Sequence, residues 1–158
     1  MPALENNLIA TRIRDDGRLW IMKQKFWLFG TATFFHGENV SFEEATRHGR
    51  RFFNALDRRV LPRKQVNDGR RLQRLVFVER GRTRANTHIH FFVKGFEWSH
   101  YHAISEAAEQ LWPNMIEHAA DIELRDNVDA YAERAGYCWK EVRSDLHDVL
   151  MLECCHLD

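Results

Sequence analysis

Residues 87–93 read Thr-His-Ile-His-Phe-Phe-Val, and no other run constrains the fold as tightly. Aromatic and β-branched residues favour an extended strand. In a strand, alternate side chains point to the same face. His88 and His90 therefore share one face while Ile89 turns into the core. Two imidazoles fixed side by side on a strand are the beginning of a metal site. The rest of the chain must supply a sheet with room on that face, and a third ligand.

Other runs supply the sheet. Residues 25–35 (KFWLFGTATFF) read as a buried strand, followed by a turn at 36–39. Ser41 opens a helix, with Glu44 three positions on completing a capping box. Phe42, Ala45, Phe52, Phe53, Leu56 and Val60 recur at roughly helical spacing, and Pro62 ends the segment. Residues 72–79 (LQRLVFVE) alternate, with Leu75, Phe77 and Glu79 on one face and Val76 and Val78 on the other. A basic loop, 80–87, leads into the His-Ile-His strand. Ser99 is expected to cap a helix running to Trp112 and stopped by Pro113. Residues 120–124 read as a short strand, 127–142 as a third helix with Gly136 as its weak point, and 148–154 as a final strand. The order is β-α-β-β-α-β with an added α-β. It predicts an α+β fold: a ferredoxin-like (split βαβ) antiparallel five-stranded sheet with flanking helices, one sheet face left free. At 158 residues a single domain is expected.

Composition narrows the function classes. The chain is 44% hydrophobic and 29% charged, with 11 Phe and 5 Trp, which suits a globular domain with an aromatic core. Three cysteines, two of them adjacent, do not make a disulfide framework. The polar first residues do not read as a signal peptide, and no apolar run approaches the roughly 20 residues that cross a bilayer. A cytoplasmic protein without a membrane partner is expected. The formal net charge of zero hides an asymmetry: residues 47–84 carry 13 Lys/Arg against 3 acidic residues, and 117–158 carry 4 against 11. Such blocks suggest a basic face for a polyanion.

Glu79 ends one strand, and His88 and His90 begin the next. A hairpin can place the carboxylate beside both imidazoles. Two imidazoles and a carboxylate, with positions left open, suit a catalytic divalent cation, which polarises a phosphoryl oxygen. Tyr137 and Lys140 lie three apart and share a helical face, with Glu133 and Glu141 nearby to touch the metal or orient the lysine. A tyrosine hydroxyl, with a free pKa of about 10, becomes a nucleophile where a cation favours the phenolate. Tyr131 is the lesser candidate. Cys154, Cys155 and His156 form a possible but unsupported metal tail, and His100 and His102 are expected at the surface. Trp98, Trp112 and Trp139 are expected in the core, any exposed one near Tyr137 being able to stack a base.

An acid at a strand end, His-hydrophobe-His on the next strand, then Tyr-x-x-Lys on a later helix, in that order, resembles the HUH endonuclease superfamily. Within it the chain is similar to the single-tyrosine replication-initiator (Rep) type of rolling-circle replication. Residues 29–34 match the family's first motif loosely, and the likeness spans roughly residues 25–155. The resemblance implies a sequence-specific nickase and ligase of single-stranded DNA, with the DNA lying across an open sheet face beside a hairpin origin. It implies Mg²⁺ or Mn²⁺ on Glu79, His88 and His90, attack by Tyr137 to leave a 5′-phosphotyrosine and a free 3′-hydroxyl, and assistance from Lys140. The basic block would hold the DNA, with Arg80, Arg82 and Arg84 contacting it directly, and Thr31 and Thr33 in the first motif. The chain has no Gly-rich phosphate loop, so no helicase domain is expected in it. Helicase and polymerase would come from the host or virus, and the location would be nuclear for a eukaryotic virus. The alternatives are an HUH transposase or relaxase, a single-strand-binding module that has lost catalysis, and a phosphodiesterase that uses water. Transposases usually pair the tyrosine with glutamine and relaxases usually carry three histidines, so Lys140 and Glu79 favour the initiator.

Overall fold

Four strands form one antiparallel sheet: β1 (Leu28–Phe34), β2 (Gln73–Glu79), β3 (His88–Lys94) and β4 (Ala119–Asp126), in the spatial order β2-β3-β1-β4. Five helices flank them: α1 (Pro2–Gln24), α2 (Phe42–Val60), α3 (Arg63–Asn67), α4 (His100–Met115) and α5 (Tyr131–Tyr137). The structure is a computed structural model describing residues 2–81, 83, 86–143 and 145–158, residues 2–4 by backbone alone.

The period-2 alternation of the central strands builds two cores, one on each face of the sheet. Ile89, Phe91 and Val93 of β3 join Leu28, Ala32, Val76 and Val78 beneath α2 and α4, which contribute Phe52, Phe53, Leu56, Ile104 and Trp112. Phe92 joins Phe29, Leu75 and Phe77 on the other face, beneath α1 and α5. The Ser41 capping box forms as the sequence predicts, Ser41 Oγ accepting from the Glu44 N–H and Glu44 accepting from the Ser41 N–H. Below α2, the fully buried Asp57 carboxylate accepts from the Leu72 N–H at 2.9 Å and from the Arg74 guanidinium at 2.9 and 3.1 Å.

Four expectations need correction. The second sheet face is not open, because α1 and α5 lie over much of it. The sequence of α1 hides this helix, since it carries apolar residues on its outside, with Leu8 and Leu19 exposed. The sheet has four strands among the described residues rather than five. Residues 148–154 cannot alternate as a strand, because Val149 and Leu150 pack in succession on one side of the sheet while Met151 and Cys154 pack on the other. This tail instead makes two isolated bridges to the β2 edge, Phe77 with Leu150 and Arg74 with His156, separated by a 3₁₀ turn. The third helix is short: the Asp126 carboxylate holds the Val128 N–H in a turn ahead of it, and tight turns replace it from residue 138 onward. Pro113 does not stop α4, which continues to Met115; a proline this near the helix end removes only one backbone bond.

Candidate active site

The β2–β3 register places Glu79 opposite His88 and Phe77 opposite His90, and the β1–β3 register places Thr31 opposite His90. One ligand atom each from Glu79, His88 and His90 lies within 4.8 Å of the others. The group could hold a metal ion, and its donors fit one: two imidazoles and one carboxylate are a three-ligand set that leaves coordination positions open. His90 Nε2 lies 2.7 Å from Glu79 Oε2, and its Nδ1 lies 3.1 Å from Thr31 Oγ1. Phe29 stacks parallel to the His90 ring at 5.6 Å. Both ring nitrogens and one ring face are thus held, so the imidazole has little freedom to rotate.

Tyr137 closes the other side. Its hydroxyl donates to Glu79 at 2.9 and 3.1 Å, and its ring meets His90 edge-on at 5.5 Å. Lys140 donates to Glu79 as well, and its ammonium lies 3.7 Å from the centre of the Tyr137 ring. Tyr137 is the last residue of α5, and Lys140 follows in a tight turn in which its N–H bonds the Tyr137 carbonyl at 3.0 Å. Residues three apart eclipse in such a turn, so the pair stays together although the helix has ended.

The electrostatics follow from these contacts. Burial would raise the Glu79 carboxyl, but hydrogen bonds from His90, Lys140 and Tyr137 outweigh it and hold the pKa down at about 2. Burial pushes the His88 imidazole down, against the pull of Glu79. His88 is therefore neutral at pH 7, the form that ligates a cation. Burial and the Glu79 carboxylate push the Tyr137 phenol up, although Lys140 draws it down. The Tyr137 hydroxyl is therefore a neutral donor to Glu79.

Two further residues brace the site. The Arg14 guanidinium on α1 donates to the carbonyls of Lys140 at 3.2 Å and Val142 at 3.1 Å. One turn along, a Cβ on Gly17 would lie 2.5 Å from the Trp139 ring, so α1 packs directly on the turn that bears Lys140. Nothing in the sequence marks Arg14 for this. Glu141 does not face the metal group; it accepts the N–H groups of Arg80 and Gly81 at 2.9 and 2.8 Å and ties the turn after β2 to the end of α5. Glu133 is exposed.

The remaining expected site residues distribute as follows. Thr31 positions His90. Thr33 is turned to β4, where its hydroxyl accepts from the Asp121 N–H at 3.1 Å and faces the Asp121 carbonyl. Arg80 lies over Phe42 and lines a cleft of about 860 Å³ with Arg14, Glu79, Lys140, Arg143 and His147. Arg82 and Arg84 lie outside the described residues. Within the basic block, α2 packs its apolar side on the opposite face of the sheet while its first residues Phe42 and Glu43 line this cleft, and Arg74 is buried against Asp57. The Tyr131 hydroxyl donates to the Ile21 carbonyl and accepts from the Phe26 N–H at 3.2 Å, joining α1 to the segment that leads into β1. Cys138, Cys154 and Cys155 are free thiols, and burial pushes Cys154 up to about 12 and Cys155 to about 11. His100 Nδ1 accepts the Phe96 N–H at 3.2 Å instead of standing free at the surface. Trp112 and Trp139 are buried as expected, but Trp98 is 67% exposed. No helix of the described residues is long and apolar enough to cross a membrane. In comparisons with known proteins, no family model, no curated protein and no solved structure matched the chain.

Proposed function

We propose that this chain is a single-tyrosine, metal-dependent nuclease of the HUH type that nicks and rejoins single-stranded DNA to initiate rolling-circle replication. One observation carries the reading: the Tyr137 hydroxyl is hydrogen-bonded to the carboxylate that completes the candidate metal group. The strand order and directions support a ferredoxin-like split βαβ arrangement, with the order β2-β3-β1-β4 and every neighbour antiparallel. Glu79, His88 and His90 would hold Mg²⁺ or Mn²⁺, which would polarise a phosphoryl oxygen.

The protein's own groups do the rest. Tyr137 Oη attacks the scissile phosphorus, and its proton passes to solvent on the exposed side of the ring. A bond forms from Oη to the 5′-phosphoryl group as the bond to the 3′-oxygen breaks. That oxygen takes up a proton and becomes a free 3′-hydroxyl, the primer for a polymerase working with a helicase. The Lys140 ammonium offsets the negative charge that develops at Tyr137 and the phosphate. Thr31 keeps His90 aimed, Arg14 holds the Tyr137–Lys140 turn to α1, and Glu141 holds it to the β2–β3 hairpin. Attack of a 3′-hydroxyl on the phosphotyrosine reverses the step, so joining needs no other energy source.

The test is a protein–DNA adduct on a denaturing gel, after incubation with Mn²⁺ and end-labelled single strands. The native chain is expected to form an adduct and Tyr137→Phe none, with His90→Ala lacking cleavage. An adduct that survives Tyr137→Phe overturns the assignment of the nucleophile, and no adduct from the native chain on any strand overturns the nuclease reading.

A further inference from the structure

A second cavity, of about 340 Å³, lies at the opposite end of the sheet from the Glu79 group, where β1 begins and β4 ends. Its walls are aromatic. Trp98 stacks on Tyr101 at 5.0 Å with an interplanar angle of 24° and meets Trp27 edge-on at 5.3 Å. An exposed, stacked tryptophan offers a free π-face at a heavy solvation cost. Asn127 also lines the cavity and is only 2% exposed. Its Oδ1 accepts from Arg134, but its Nδ2 has no hydrogen-bond partner among the described residues. A buried donor left unmade is costly, and Nδ2 lies closed off from solvent behind the cavity wall. Lys25 adds a cation to the lining and Asp126 a carboxylate, the latter accepting from the Tyr101 hydroxyl at 2.9 Å.

From this combination we infer that the cavity is a base-binding pocket for single-stranded nucleic acid. One base is clamped on the Trp98 ring, while Lys25 meets the adjoining phosphate. The inference rests on the nuclease reading for its ligand and extends it to a second contact point. Spacing supports the link. Tyr131 lines this cavity and Tyr137 ends the same helix, six residues and about 9 Å further along its axis. Arg134 lies between them on that helix. A strand held at both points is fixed in register on the protein, so the pocket selects which phosphate meets Tyr137.

The experiment compares fluorescein-labelled thymidine octamers with octamers of the same length whose bases are replaced by abasic sites, titrated with the whole chain in EDTA. The phosphates are identical, so any difference reports on bases. The native protein is expected to prefer the thymidine strand by about tenfold or more, within the range of base–aromatic stacking. Trp98→Ala should lose that preference while binding the abasic strand as before, and Trp98→Phe should retain most of it. Trp98 is exposed, so its removal leaves both cores intact. Equal binding of the two strands by the native protein, or a preference undiminished in Trp98→Ala, overturns the inference. The adduct assay on the same proteins separates the two readings. A Trp98-dependent preference without an adduct leaves the pocket standing and removes the nuclease. An adduct with no Trp98-dependent preference does the reverse.

Discussion

Replacing Thr31 by valine removes one oxygen from the site and almost no volume. The Thr31 hydroxyl lies 3.1 Å from His90 Nδ1, while Nε2 of the same ring is turned to Glu79 at 2.7 Å. If a cation is bound through Nε2, the ring proton must sit on Nδ1, and Thr31 Oγ1 is its acceptor. His90 is only 6% exposed, so in Thr31→Val no water takes that place. Leaving a buried donor unpaired costs about 1–3 kcal/mol. The cost falls on the tautomer that binds metal, since the other tautomer places no hydrogen against the valine. At about 1.4 kcal/mol per factor of ten, Mn²⁺ affinity should fall by roughly 5- to 150-fold. Valine suits a central strand, so metal-free stability should fall only by the lost Thr31–His90 hydrogen bond, about 0.5–1.5 kcal/mol. Calorimetric titration with Mn²⁺, paired with urea unfolding in EDTA, reads both quantities. Unchanged Mn²⁺ affinity in a folded variant would refute the argument that Thr31 sets the tautomer of His90.

Three further outcomes follow from the contacts. Glu79 has its carboxyl pKa lowered from the ordinary 4.5 to about 2, so its contribution to stability is full above pH 4.5 and is lost as the pH falls toward 2; urea midpoints measured across that window in EDTA should slope less in Glu79→Gln than in the native chain, and equal slopes would contradict the shift. Asp57→Ala leaves the Arg74 charge buried without its partner and should cost about 3–5 kcal/mol in urea unfolding, well above a surface substitution. Tyr131→Phe breaks the tie between Ile21 and Phe26 and should cost about 1–3 kcal/mol by the same measurement while keeping adduct formation, the reverse of Tyr137→Phe.

The legible parts of the chain were those whose chemistry is local. The β3 alternation fixes which side His88 and His90 share, and the short connection after Glu79 admits only a hairpin, so these three residues could be placed together from spacing alone. The Ser41 capping box and the apolar positions of α2 are likewise short-range. The covering of the second face was not legible, because α1 meets its partners Ala135, Cys138 and Trp139 across more than a hundred residues and shows no clean apolar stripe. The tail misled for a related reason: Val149, Leu150 and Met151 look like a buried strand in sequence but divide between two cores. The role of Thr31 was hidden because a threonine on a strand reads the same whether it meets a ligand or the back of a histidine. The charge block at 47–84 counted arginines without showing that Arg74 is buried against Asp57 rather than offered to a ligand.

The clasp of α1 on the Tyr137–Lys140 turn also orders events in time. Arg14 and Gly17 are made long before Trp139 and Lys140, so the helix that braces the site leaves the ribosome with nothing to rest on. The sheet cannot finish earlier, since β1 waits for β3 and β4 on either side. Long-range closure of this kind makes for slow folding. It also means that a partly synthesised chain holding the Glu79, His88 and His90 group has neither the tyrosine nor the lysine beside it. Any strand-cutting capacity is therefore acquired in a single late step, when the two distant segments meet over Phe29, Phe77 and Phe92.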